Sequence, residues 1–315
     1  MLFSKQLLRR TLGSLWLIDG LLQLQPRMFT MDMITEIMAP IAQNQPAPIA
    51  ASLHWIIIVA THNLILLNLI VALVQIALGL FLLTGYWVRG AVIVSAVWAL
   101  LVWYAGEGMN MLLTGQASVL TGAPGAVLFY PLLGFLIYPR KTSPQARSEG
   151  TILSQVHFRR ILAGFWAFAA LLQLQPYWWQ PGQISQTVSS LIGQGGFNGV
   201  LIDPILKGFS ALTAHIEIPL NILLIVGFLV LAIGLAIVKE DQLHPFLIAS
   251  LVVSFLIWWV AEGFGMIFTG MTTDFNSGLL LIIMALACWP TTAEMNSFYR
   301  PREEVNFRQL GHRSF

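Results

Sequence analysis

The sequence predicts an all-α, polytopic membrane protein of about eight transmembrane helices, arranged as two tandem four-helix bundles related by a parallel pseudo-two-fold axis. Three observations predict it: scarce charge, recurring apolar runs, and an ordered set of motifs that occurs twice. Of the 315 residues, 57% are apolar and only 10% are Asp, Glu, Lys or Arg, against roughly 25% charged in a soluble domain. A soluble fold with so few charges would not cover its own surface. Apolar runs of bilayer-spanning length recur from Thr11 to Trp289, so lipid is the expected solvent and the bilayer the first partner. A net charge of +2, with no basic stripe interleaved with aromatics, argues against nucleic acid as a partner.

The repeat sets the element count. The stretch Arg9-Arg10-Thr-Leu-Gly-Ser-Leu-Trp16 runs on to Leu21-Leu-Gln-Leu-Gln-Pro26. Arg159-Arg160-Ile-Leu-Ala-Gly-Phe-Trp166 runs on to Leu171-Leu-Gln-Leu-Gln-Pro176, an offset of 150. His62 and Asn68 recur as His215 and Asn221, at 153. Trp103, Glu107-Gly108, Met111 and Thr114-Gly115 recur as Trp258, Glu262-Gly263, Met266 and Thr269-Gly270, at 155. Each half closes on an apolar run ended by proline, at Pro139 and Pro290. Shared order with drifting offsets is the mark of duplication with small loop changes.

Each half then reads as four spans: 10–25, 58–84, 88–106 and 123–139, then 160–175, 211–238, 245–261 and 276–290. The first four-helix unit occupies 1–140, a cytoplasmic linker 141–157, the second unit 158–292 and a cytoplasmic tail 293–315. Residues 1–26 resemble a signal peptide, but Asp19 interrupts the apolar stretch and no Ala-x-Ala site follows, so they are read as a retained first helix. The connections 27–53 and 177–208 are expected to hold short interfacial helices. With both termini in the cytoplasm, fourteen Lys and Arg fall on the inner side and only Arg27 and Lys207 on the outer. Four spans per unit is an even number, so the two units are parallel, with their axis along the membrane normal.

On that topology the repeated polar residues gather near the outer face. Gln23 and Gln25 end the first helix, His62 and Asn68 lie in the outer half of the second, and Glu107 closes the third. Gln173, Gln175, His215, Asn221 and Glu262 do the same in the second half. A carboxylate in hydrocarbon costs ~2.5–3.5 kcal/mol on insertion scales, so such groups face a bundle interior or a wet cavity. The structural alternative is equally concrete. Glutamate before glycine can cap backbone donors, and glutamine before proline can satisfy the last carbonyls of a helix. Two acids lack a counterpart: Asp19 faces Ala169 in the alignment of the halves, and Glu217 faces Leu64. Either is a proton relay or a neutral acid bonded to a neighbouring helix.

Other cofactor chemistry has weaker signals. The single cysteine, Cys288, excludes an intrachain disulfide, a CxxC pair and a CxxCH covalent haem site. Met28, Met31, Met33 and Met38 suit Cu(I) in principle, but methionine is also an ordinary residue of an interfacial helix. No metal site is assigned.

The opening of each unit, Arg9-Arg10-x-Leu-Gly13-x-Leu-Trp16-Leu-x-x-Gly20 and more loosely Arg159-Arg160-x-Leu-x-Gly164-x-Trp166, resembles the first helix of the DoxX-like family of small bacterial membrane proteins, which includes DoxD and MauE relatives. The resemblance implies a four-span unit, here fused in two copies, in a bacterial plasma membrane. It also implies a redox role, such as quinone-linked sulfur oxidation or support of thiol-redox maturation. The expected function is therefore a quinone-associated redox component. His215, Glu217 and Glu262 would form its stronger proton-exchanging site, His62, Glu107 and Asp19 a second, and the paired Gln and Asn side chains would be headgroup ligands. Electrons would come from a soluble or membrane redox partner or from substrate. A small-molecule or ion transporter, or a structural subunit of a membrane complex, is the alternative.

Overall fold

The computed structural model describes residues 4–138, 154–194, 199–200 and 202–289, and these fold into helices and turns with no strand among them. The principal helices are α1 (Lys5–Leu22), α2 (Ala47–His62), α3 (Leu64–Thr84), α4 (Val88–Ala105) and α5 (Phe129–Ile137). The second half supplies α6 (Gln155–Gln173), α7 (Gln183–Ser189), α8 (Asp203–Thr213), α9 (Glu217–Ile237), α10 (His244–Leu256) and α11 (Asn276–Ala287). Short 3-10 and π turns join them, and Ile257–Ala261 continues α10 as a π segment.

Four helices are long and apolar enough to cross a membrane: Leu64–Thr84, Val88–Ala105, Glu217–Ile237 and His244–Ala261. Their outward faces carry large apolar side chains, among them Leu73 at 64% exposure and Leu223 at 66%. A water-facing surface does not hold so continuous an apolar face.

These four helices are the second, third, sixth and seventh of the expected spans; α1 and α6, at the first and fifth, are not among them. The second and sixth start later than predicted, at Leu64 and Glu217, because the chain breaks at Asn63 and Ile216, both non-helical. The fourth and eighth are short. Ala126–Ile137 and Asn276–Ala287 each have twelve residues, about 18 Å of helix at 1.5 Å per residue. The missing length lies in the loops before them, where irregular backbone is packed inside the bundle: Ala117, Ser118 and Val119 are 0% exposed. Non-helical backbone is tolerated at such depth only when protein surrounds it. The connections predicted to hold short helices do hold them, Met33–Met38 in the first and α7 in the second, while α2 and α8 begin there and run past the expected bounds. The second half begins inside the expected linker, at Gln155, with Ser154 capping the His157 amide. The rest of that linker and the tail 293–315 lie outside the described residues.

In the first half α1 packs along α3, and small residues let the backbones approach. A Cβ on Gly79 would sit 2.6 Å from the Leu17 nitrogen, and one on Gly13 2.8 Å from that of Leu83. In the second half α6 packs along α9, and the residues at the corresponding positions, Ala163 and Ala232, are both buried. Other contacts recur at the sequence offsets. Trp16 Nε1 donates to Ser95 Oγ at 3.0 Å, and Trp166 Nε1 to Ser250 Oγ at 3.0 Å. Asn68 Nδ2 donates to the Gln23 carbonyl at 2.7 Å, and Asn221 Nδ2 to that of Gln173 at 3.2 Å. After each repeated glutamate comes one left-handed turn. Gly108 to Met111 have φ of 54°, 56°, 47° and 61°, and Gly263 to Met266 have 53°, 55°, 67° and 55°. Each non-glycine residue held there costs roughly 1–2 kcal/mol.

Arg9 bonds the Leu82 carbonyl at one end of this bundle. The ends of α1 and α4 and the start of α5 gather at the other, here called distal.

Candidate functional site

Two cavities occupy corresponding places in the two halves. One, of about 380 Å³, is walled by Leu120, Leu224, Phe228, Val253, Ile257 and Val260. The other, of about 310 Å³, lies in the first half. At the offsets 153 and 155, Val71, Gln75, Trp98, Val102 and Ala105 of the first-half cavity correspond to the residues of that wall from Leu224 to Val260. The second-half cavity is apolar. The first-half cavity is mostly apolar too, but polar groups border it.

Those groups come from five elements. Asp19 projects from α1 and is 2% exposed. The Tyr130 hydroxyl on α5 donates to its Oδ2 at 2.5 Å, and the Tyr130 ring lies 4.4 Å from that of Trp16. Its Oδ1 is buried without a partner. Glu107, just past α4, accepts the Val127 amide on Oε1 at 3.2 Å, leaving Oε2 buried and unpaired. Gln75 Oε1 and Trp98 Nε1, from α3 and α4, are also buried and unpaired. Asp274 arrives from the loop before α11, in the other half of the chain, and lies within electrostatic range of both Asp19 and Glu107. Its Oδ1 accepts the Asn276 amide at 2.7 Å and its Oδ2 the Thr273 hydroxyl at 3.0 Å. Loss of solvent around this loop carboxyl raises its pKa above the ordinary carboxylate value, against those two hydrogen bonds.

Five unpaired buried polar atoms around one space are uncommon, because each costs about 1–3 kcal/mol when no partner is present. They are Asp19 Oδ1, Gln23 Oε1, Gln75 Oε1, Trp98 Nε1 and Glu107 Oε2. Ile70 and Leu101, on the rim, are 48% and 56% exposed, so the cavity reaches the apolar flank of α3 and α4. Among the described residues no group of three or more His, Cys, Asp or Glu is placed to hold a metal ion.

The residues singled out in the sequence divide sharply. Asp19, Gln23 and Glu107 line this cavity. The histidines lie elsewhere: His62 is exposed and bonds its own helix, Nδ1 to the Ile58 carbonyl at 2.8 Å, and His215 is exposed in the turn before α9. Glu217 caps α7, accepting the Ser185 amide at 2.9 Å, the Ser185 hydroxyl and the Gly182 amide. Glu262 caps α11, accepting the Gly278 amide at 2.8 Å and the Ser277 hydroxyl. The second-half trio His215, Glu217 and Glu262 therefore forms no shared pocket. Its two acids are held by hydrogen bonds within the protein.

The repeated amides are clamps between elements. Gln25 Nε2 donates to the Leu22 carbonyl at 2.9 Å and to that of Thr272 at 3.0 Å. Gln173 Nε2 reaches Ser118 Oγ at 2.5 Å, and Gln175 Nε2 the Ala117 carbonyl at 3.2 Å. Asn68 and Asn221 bind the first-helix carbonyls described above. Each half's buried loop is thus fastened to the other half's first helix. Of the methionines, Met28, Met33 and Met38 pack with Ile34 and Ala60 in a small apolar cluster.

Gln75, Trp98, Tyr130 and Asp274 were not singled out. Their signal was present: at the repeat offsets, Gln75 faces Phe228, Trp98 faces Val253 and Tyr130 faces Leu281, while Asp274 faces Val119 or Ala123. All break the repeat in the same way as Asp19.

An all-helical protein with four membrane-length apolar helices and an acid-lined cavity beside two of them is the class that fold and site define. In comparisons with known proteins, no family model, curated sequence or solved structure matches the chain.

Proposed function

We propose that the chain is a DoxX-like, eight-span membrane protein of two tandem units, whose first-unit cavity binds a quinone headgroup and exchanges protons with it. Its place would be the bacterial plasma membrane, with both termini cytoplasmic and the distal end outside. The paired tryptophan–serine, asparagine–carbonyl and left-handed-turn contacts support the two-unit reading.

The observation that carries the functional reading is the set of unpaired polar atoms around a cavity that borders an apolar flank. A quinone headgroup presents two carbonyl acceptors on an apolar ring, and 310 Å³ accommodates such a ring. In this reading Trp98 Nε1 and the Gln75 amide would donate to those carbonyls. Asp19 Oδ1 and Glu107 Oε2 would hold or release a proton, with the Asp19 carboxyl held by the Tyr130 hydroxyl. When bound, a quinone supplies two-electron, two-proton redox chemistry. The sequence carries no cofactor-attachment motif, so a redox partner or the substrate would deliver the electrons.

Purification in mild detergent, followed by solvent extraction and an absorption spectrum, tests this. The expected result is co-purifying quinone in the wild type and its loss in Asp19→Asn with Glu107→Gln. An empty extract, together with no binding of an added short-chain benzoquinone, overturns it.

One observation favours a second reading: among the described residues, no Lys, Arg or His lines the cavity beside its three carboxyls. An uncompensated acidic site between aromatic rings also suits a lipophilic organic cation, and a transporter would present such a site. Competition between a short-chain benzoquinone and a lipophilic amine for the purified protein separates the two.

A further inference from the structure

A third cavity, of about 370 Å³, lies at the distal end and is half polar in its lining: Glu36, Gln194, Thr269, Thr272 and Asn276 contribute to it. It shares Ile37, Thr273 and Asp274 with the acid-lined cavity. Those three residues therefore form the partition between the distal space and the inner acids. Asp274 is half-buried, whereas Asp19 is 2% exposed. The Thr273–Asp274 side of the partition comes from the second half of the chain and is held down by the Gln25 amide on the Thr272 carbonyl. Asp274 is the single ionisable group it contains.

We propose that Asp274 is the proton portal of the first-half cavity, relaying protons between distal water and the carboxyls of Asp19 and Glu107. The inference rests on the reading that this cavity exchanges protons. A proton leaves the Glu107 or Asp19 carboxyl for the Asp274 carboxylate, and Asp274 then gives it to water in the distal cavity. Inward transfer reverses both steps, and the net change is one proton moved. The ionisable groups facing Asp274 are Asp19 from α1, Glu107 beyond α4, Tyr130 from α5 and Glu262 before its own loop. On the distal side Glu36 shares its cavity, paired with Arg27 at 3.1 Å, and Arg27 also holds Asp32 at 2.8 Å. Among the described residues, no Lys or Arg lines the two cavities to trap a carboxylate in its ionised form.

The test is time-resolved infrared spectroscopy of the full chain in lipid after a pH jump, following the carboxylic-acid C=O bands that Asp19→Asn and Glu107→Gln identify. Asp274→Asn should slow proton uptake by those two groups roughly a hundredfold, the scale of a lost positioned proton-transfer group. The final amplitude should not change, and Asp274→Glu should restore the rate. Wild-type rates in Asp274→Asn overturn the portal. If Asp274→Asn fails to fold, Ile37→Val and Ile37→Leu in the same partition, both of which keep Asp274 and its hydrogen bonds, should leave the rate within about twofold of wild type. Slowing by these as large as expected for Asp274→Asn would mean that the partition, not the carboxyl, sets the rate, and would likewise overturn it. Binding of a short-chain benzoquinone is measured on the same samples. Its absence in the wild type defeats the quinone reading and leaves the portal to be judged by the rates alone.

Discussion

Gln175 donates its side-chain amide to the backbone carbonyl of Ala117, 58 residues earlier in the chain, at 3.2 Å. Gln25 makes the reciprocal bond to Thr272 at 3.0 Å. The two bonds tie each half's buried loop to the first helix of the other. Gln25→Leu should lower stability by about 1–3 kcal/mol, the cost of an orphaned buried carbonyl, and Gln175→Leu by only about 0.5–1.5 kcal/mol, because Trp178 Nε1 still donates to the Ala117 carbonyl at 3.0 Å. Thermal unfolding in detergent measures it, and wild-type midpoints in both would show that the loops are held by packing alone.

Ser95→Ala and Ser250→Ala each leave a buried tryptophan N–H without its acceptor. The expected losses are about 1–3 kcal/mol apiece, and the double variant should give their sum within about 0.5 kcal/mol. A large loss for one serine and none for the other would argue that the two tryptophans sit in different environments.

Gly79→Val should separate α1 from α3, because its new Cβ meets Leu17 backbone at 2.6 Å. Overpacking of this kind costs about 1–3 kcal/mol. Ala232→Val, at the corresponding place in the other half, provides the comparison. Cysteine cross-linking between α1 and α3 should fall in Gly79→Val, and unchanged yields would count against the close approach.

Binding of a short-chain benzoquinone should weaken at least about tenfold in Asp19→Asn, Glu107→Gln or Trp98→Phe, as expected when a buried polar partner is removed. His62→Ala and His215→Ala should bind as the wild type does, since both side chains are exposed away from the cavity. Fluorescence quenching of the purified protein reads all five. Equal loss at the histidines would place the ligand elsewhere.

Asp274 has a raised pKa, so between its ordinary and its folded value the folded protein binds more protons than the unfolded chain. Its contribution to stability is therefore full below the ordinary carboxylate pKa and declines as pH rises through the folded one. Asp274→Asn removes that dependence. The unfolding midpoint of the wild type relative to the variant should fall with rising pH across this window, and a difference that rises with pH would reverse the assignment.

Much of the fold was legible because lipid imposes a simple rule on composition. Val88–Ala105 appears within one residue of its expected bounds, since a span with polar punctuation at both ends leaves little choice. The expected span starts, 58 and 211, fall inside the preceding helices α2 and α8, because the apolar sequence runs on across the breaks at Asn63 and Ile216. Ala126–Ile137 falls inside its expected bounds of 123–139, trimmed by the turn that Gly122, Pro124 and Gly125 signal. What no local pattern shows is that the loop before it is buried. At the site, chemistry was legible and grouping was not. Asp19 and Glu107 stood out as acids among apolar residues. That Asp274 joins them depends on a crossing of loops between halves, which no local pattern encodes. Symmetry was also misleading: Glu262 copies Glu107, but Ser277 in place of Ala126 gives it a second donor and closes it off.

The loop that carries Asp274 fixes when the first cavity can be completed. Translation delivers the N-terminal half to the membrane first, at about 5–20 residues per second. Asp19, Glu107 and their unpaired neighbours must then wait many seconds for the residues that roof them. During that interval the nascent bundle exposes acids to whatever surrounds it, lipid or insertion machinery. A stalled or truncated chain would keep them exposed, a state that membrane quality control could recognise by its uncovered carboxyls.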